Sequence, residues 1–142
     1  MVVLGLDWGQ SRIGAAVSDE LGIAAHFADT IIRDGQELDR IADLVRQRGV
    51  ERIVVGMPLR MDGTDGVQAR KVRGFMKRLR KCLPDVAVEE QDERLTSAQA
   101  HRALSEMEAS MRRRRADVDG MAAQIILQRY LDRHAADRRP EG

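Results

Sequence analysis

At 142 residues the chain has the size of one globular domain, long enough to bury a core without disulfides or a structural metal. Its 24 Lys and Arg against 23 Asp and Glu leave a net charge of +1, so bulk charge selects neither a nucleic acid nor a membrane as partner. A single cysteine excludes an internal disulfide framework and a cysteine-rich zinc site. Residues 2 to 7 form an apolar run that predicts a strand, Gly9 turns the chain, and Ile13 to Ser18 predict a second strand. Asp19 to Gly22 is a turn into a third strand at about Ile23 to Thr30, and such short connections imply an antiparallel meander.

Gln36 to Arg48 carries Leu38, Ile41, Ala42, Leu44 and Val45 at helical spacing and stops at Gly49, after which Arg52 to Gly56 is a short buried strand. Met57 to Gly66 is rich in turn residues. A helix follows over Val67 to Leu83, with Val72, Phe75, Met76, Leu79 and Leu83 on one side and most of its basic residues on the other, ended by Pro84. Val86 to Gln91 predicts the last strand. Thr96 and Gln99 have capping-box spacing for a helix to about Met107, Met111 to Ala116 with its four consecutive arginines is expected to be a flexible loop, and the last helix spans Val118 to His134. These elements describe an α/β domain over residues 1–138, a mixed five-stranded sheet that begins with three antiparallel strands and is flanked by helices, with residues 139–142 as a disordered tail.

Three carboxylates sit where a solvated surface acid is not needed. Asp7 closes the first apolar run, Glu93 follows the last strand, and Asp119 opens a helix and shares a face with Ala122, Ala123, Ile126 and Tyr130. An inward carboxylate needs a cation, a hydrogen-bond donor or a shifted pKa, because an unpaired buried charge is costly. Charge is also unevenly spread, since residues 67 to 84 hold seven basic side chains and no acid. Cys82 is expected to be a small buried hydrophobe. His26, His101 and His134 lack ligand spacing and read as structural or surface residues. Phe27, Phe75 and Tyr130 are expected in the core, and Trp8 either in the core or against a base. No run approaches the ~20 apolar residues of a membrane span and no signal peptide leads the chain, so a cytoplasmic location without membrane contact is expected.

Four motifs in order carry a family resemblance. They are Asp7, Gly9, Arg12, Ile13 and Gly14; Gly56, Pro58, Leu59, Met61, Asp62, Gly63 and Thr64; Asp92 to Thr96; and Val118, Asp119, Ala122 and Ala123. Over nearly its whole length the chain resembles the YqgF-type Holliday-junction resolvase-like family of the RNase H-like superfamily, also described as pre-16S rRNA nucleases. Arg60 stands where that loop usually has asparagine, and Trp8 and Gln10 where phenylalanine and threonine are usual.

The resemblance implies an RNase H-like fold in which Asp7, Glu93 and Asp119 converge as catalytic metal ligands for Mg²⁺ or Mn²⁺. Two such ions suit hard oxygen donors and an in-line attack of water on a phosphodiester. Asp92 is the neighbour that competes with Glu93 for the ligand role. Phosphate contacts are expected from Arg70, Arg73 and Lys77 on the basic helix and from Arg112, Arg113 and Arg114, a solvated face being the alternative; Arg12 either reaches phosphate or holds an acid in place.

The expected activity is metal-dependent phosphodiester hydrolysis in structured nucleic acid, either the 5′ end of pre-16S rRNA or branched DNA, by a monomer or a homodimer. A non-catalytic binding module of the same fold is a further alternative. A sugar-kinase or actin-like ATPase also opens with a strand ending in D-x-G, but that fold needs two such domains.

Overall fold

The computed structural model describes residues 1–58, 66–92 and 118–135, of which 118–120 by their backbone. Apolar residues on both faces mark the centre of a sheet, and the first run obeys that rule: in β1 (Val2–Trp8), Val3 to Leu6 and Trp8 are buried. It pairs antiparallel with β2 (Arg12–Ser18), which pairs antiparallel with β3 (Ala25–Ile32). On its other side β1 runs parallel to β4 (Val50–Met57), and β4 parallel to β5 (Ala87–Asp92), for an order β3-β2-β1-β4-β5. Parallel neighbours need crossovers, and the helices α1 (Glu37–Arg48) and α2 (Val67–Cys82) supply them. The final helix is α3 (Val118–Arg133).

Side chains alternate across the sheet, so each strand feeds two cores. Leu4, Leu6 and Trp8 of β1 join Ile13, Ile53, Val55 and Met57 beneath Ile41 and Leu44 of α1 and Val72, Phe75, Met76 and Leu79 of α2. Val3, Ala16 and Val54 face the other way, against Ala123, Ile126, Leu127, Tyr130 and Leu131 of α3. None of the described helices is long and apolar enough to cross a membrane.

The third strand starts two residues later than the sequence suggests. The Asp19 carboxylate accepts hydrogen bonds from the amides of Ile23 (2.8 Å) and Ala24 (3.3 Å), which holds both in the turn and keeps the Asp19 pKa below its ordinary value. Two expectations are corrected. Phe27 is exposed (49%), not core: the register of β3 against β2 slips between Ala15 and Ala16, so Ala28 and Ile31 both face the α1/α2 core and Phe27 is left on the opposite face at the sheet's edge. Cys82 is exposed, because it ends α2 to one side of the stripe that reaches the sheet. The expected helix from Thr96 to Met107, the run 112–115 and the tail 139–142 lie outside the described residues.

Candidate active site at the carboxyl edge of the sheet

Because β1, β4 and β5 are parallel, their carboxyl ends share one edge of the sheet, where ligands of open α/β sheets gather. Asp7 is half-buried there, one residue before the end of β1. Leu6 and Trp8 point into the α1/α2 core, so alternation puts Asp7 on the α3 face. The chain then reverses tightly: the Gly9 amide donates to the Arg12 carbonyl (2.9 Å), and a Cβ on Gly9 would come within 2.7 Å of that oxygen. Arg12 lies two residues before Gly14, the register partner of Asp7, and is exposed on the same face as Asp7, since Ile13 between them points to the other core.

The start of α3 is brought to Asp7 by close packing. A Cβ on Gly5 would lie 2.7 Å from Leu127 Cβ and 3.2 Å from the Ala123 carbonyl, so only glycine allows the helix this near. The helix runs antiparallel to β1, with Ala123 over Gly5 and Leu131 near Val3 and Met1. One turn back from Ala123, ~6 Å, is residue 119; two residues on from Gly5, ~6.6 Å, is Asp7. The backbone at 119 therefore begins the helix over the end of β1. Glu93 lies outside the described residues. In the strand before it, Glu89 and Gln91 meet Tyr130 and Arg133 of α3, whereas Glu90 meets Arg73 of α2. Asp92 shares the parity of Glu90, so alternation directs it to the α2 face, away from Asp7. Among the described residues no group of three or more potential metal ligands is gathered.

The basic residues of α2 fall into three stripes around the helix. Arg70, Lys77 and Lys81 are exposed opposite the buried stripe. Arg73 and Arg80 lean toward β5, where Arg73 pairs with Glu90 (3.3 Å) and Arg80 donates to the Val88 carbonyl (3.0 Å). Lys71 and Arg78 lean the other way, toward Trp8 and Arg33, a grouping absent from the sequence reading. Their spacing of seven residues was a visible sign of a shared stripe; Arg33, brought in from the end of β3, was not. Trp8 is a core residue (8% exposed), 6.3 Å from Phe75, with Arg33 at 4.2 Å over its ring. Arg112, Arg113 and Arg114 lie outside the described residues.

A polar network ties the far end of α3 to the sheet. Arg52 donates to the Tyr130 hydroxyl (2.7 Å), which donates to Glu89 (2.8 Å). Burial, foremost, pushes the Tyr130 phenol up, and its hydrogen bond raises the Arg52 pKa. Gln128 adds a second tie, accepting from the Ala25 amide (2.9 Å) and donating to the Ile23 carbonyl (3.0 Å).

Three antiparallel strands, two parallel crossover strands, paired helices on one face and a closing helix on the other define an RNase H-like α/β fold, shared with RuvC. The chain belongs to the RuvX Holliday junction resolvase family, whose profile matches residues 1–133. A protein named "Putative pre-16S rRNA nuclease" from Syntrophus aciditrophicus is 45% identical over 142 residues, covering 99% of this chain and 94% of its own. One of the same name from Symbiobacterium thermophilum is 48% identical, covering 99% and 98%. Among solved structures, T. thermophilus RuvC in complex with Holliday junction substrate has a TM-score of 0.62 at 19% identity, with 96% of each chain covered. The fowlpox virus Holliday junction resolvase has a TM-score of 0.51 at 13% identity, with 94% of this chain and 99% of that one covered. Likeness at such low identity speaks for the fold alone.

Proposed function

We propose that residues 1–138 form one metal-dependent nuclease domain that hydrolyses phosphodiester bonds in structured nucleic acid, with the 5′ end of pre-16S rRNA as its substrate. The observation that carries the reading is the meeting of chain ends at one edge. Asp7 lies at the end of β1, α3 begins above it with Val118 and residue 119, and β5 ends two strands away with its odd-numbered positions turned to α3. The donor chemistry fits a hard cation: Asp7 offers carboxylate oxygens, and the sequence supplies two more at Glu93 and Asp119. Bound Mg²⁺ or Mn²⁺ would supply an activated water and charge stabilisation at the leaving oxygen. Asp7, held by a central strand and a tight turn, fixes one donor without a large entropic cost. Arg12 stands on the face of Asp7 to meet phosphate, while Arg70, Arg73 and Lys77 belong to α2 on the other face of the sheet and would meet more distant phosphates, as would the arginines that the sequence carries at 112, 113 and 114. Names of the relatives support RNA as the substrate, whereas the family's own description supports branched DNA as the second reading.

Cleavage of end-labelled pre-16S leader RNA and of four-way DNA junctions, in Mg²⁺, Mn²⁺ and EDTA, tests this. Asp7→Asn, Glu93→Gln and Asp119→Asn are each expected to lower the rate at least ~100-fold, the scale of losing one preorganised stabilising group, while leaving thermal stability close to that of the wild type. Cutting by Asp7→Asn at the wild-type rate, or undiminished cutting in EDTA, would overturn the reading.

A further inference from the structure

On the other side of the same edge lies a depression that the acidic site does not use. It is lined by Trp8, Gln10, Arg33, Lys71, Gly74 and Arg78, so half its lining is cationic and none is acidic, and it has a volume of about 510 Å³. We propose that this depression is a cleft for the phosphodiester backbone of the nucleic-acid strand flanking the cut, a reading that rests on the nuclease function proposed above.

The charges are arranged rather than scattered. Arg33 lies over the Trp8 ring at 4.2 Å and donates to the carbonyls of Gly9 (2.9 Å) and Gln10 (2.6 Å), so its guanidinium is held at the β1–β2 turn. Lys71 and Arg78 face it from α2, two helical turns or ~10 Å apart, a length that spans about three phosphates of a duplex strand. Neither pairs with a carboxylate among the described residues, in contrast to Arg73 on the flank toward β5. Trp8 offers no open face for stacking, being 8% exposed, which suits contacts to backbone rather than to bases.

Gly74 is the independent observation. A glycine in the middle of a helix is unfavourable relative to alanine, and packing does not call for it here: a Cβ at Gly74 would meet no described atom within 4 Å. It stands between Lys71 and Arg78, one turn from each, and keeps the floor of the depression bare. A bare floor lets a phosphate chain lie against the helix between two cations. Trp8 and Asp7 are consecutive residues pointing to opposite faces, so a strand crossing the carboxyl edge passes from the acids to the cleft around a single turn of chain.

The test is binding of a fluorescently labelled RNA hairpin by the full-length protein over a range of salt, with thermal melting in parallel. Lys71→Ala with Arg78→Ala is expected to weaken binding, to make the plot of log affinity against log salt shallower by about 2, and to show its loss of cleavage in KM. Gly74→Leu is expected to melt a few degrees higher yet bind more weakly, a combination that a purely structural glycine does not give. Arg48→Ala with Lys81→Ala removes the same charge from the opposite edge of the sheet and is expected to keep the wild-type slope. An unchanged slope in the Lys71 and Arg78 variant, a slope matched by the control, or wild-type binding by Gly74→Leu would overturn the cleft alone if the wild type binds and cuts. A wild type that binds no nucleic acid would overturn the nuclease reading as well.

Discussion

The two faces of the sheet are packed with different materials. Beneath α1 and α2 lie large side chains, Leu4, Leu6, Trp8, Ile13, Phe75, Met76 and Leu79, each fully or almost fully withdrawn from water and each contributing about 1.5–3 kcal/mol of burial. Beneath α3 the sheet offers Gly5, Ala16, Val3 and Val54, and the helix answers with Ala123 and a stripe that ends in the Tyr130, Arg52 and Glu89 network. Bulk on one face gives most of the burial energy. Small residues on the other let a helix approach closely and hydrogen bonds fix where it sits, and that is the face on which Asp7 lies.

Substitutions can separate these two kinds of packing. The largest effect belongs to the bulky face: Phe75→Ala leaves a cavity beside Trp8 and is expected to cost about 3–5 kcal/mol in urea unfolding, with the folded fraction cutting at the normal rate. A smaller stability loss with a disproportionate loss of activity is expected on the α3 face. Gly5→Ala drives a methyl to within 2.7 Å of Leu127 Cβ, costs about 1–3 kcal/mol and shifts the start of α3, so cleavage per folded molecule falls as well. If that variant cuts normally when folded, the close approach is a matter of stability only and the contrast between the faces fails. The mildest change is Tyr130→Phe, which removes the hydroxyl shared by Arg52 and Glu89; calorimetry should find a loss of about 1 kcal/mol. A neutral result there would mean that burial of the ring, rather than the network, anchors the far end of α3.

Much of this was legible in residue patterns. Alternation and helical spacing gave the strands and the two crossover helices to within two or three residues, because burial on both faces of β1 and β4 leaves few other readings of Val2 to Leu6 and Ile53 to Val55. Asp7 was conspicuous for the same reason, a charge at the end of a buried strand. What failed depended on register and on neighbours distant in sequence. The slip in β3 that exposes Phe27 has no local signature, and Cys82 is exposed because it falls beside the stripe of α2 that the sheet takes up, a boundary the helical spacing alone does not draw. The basic helix read as one face; the sheet beneath divides its charges into a stripe paired with β5, a solvated stripe and a stripe facing Arg33. That division is a property of the fold, since Glu90 and Arg33 come from strands at opposite edges.

Trp8 is the sole tryptophan in the chain, and the guanidinium of Arg33 lies over its ring. Its ultraviolet emission therefore comes from one place, the wall between Asp7 and the basic depression. A phosphate that draws Arg33 away from the indole changes the field across that ring, so the protein carries its own optical gauge of what enters the carboxyl edge, with no dye attached.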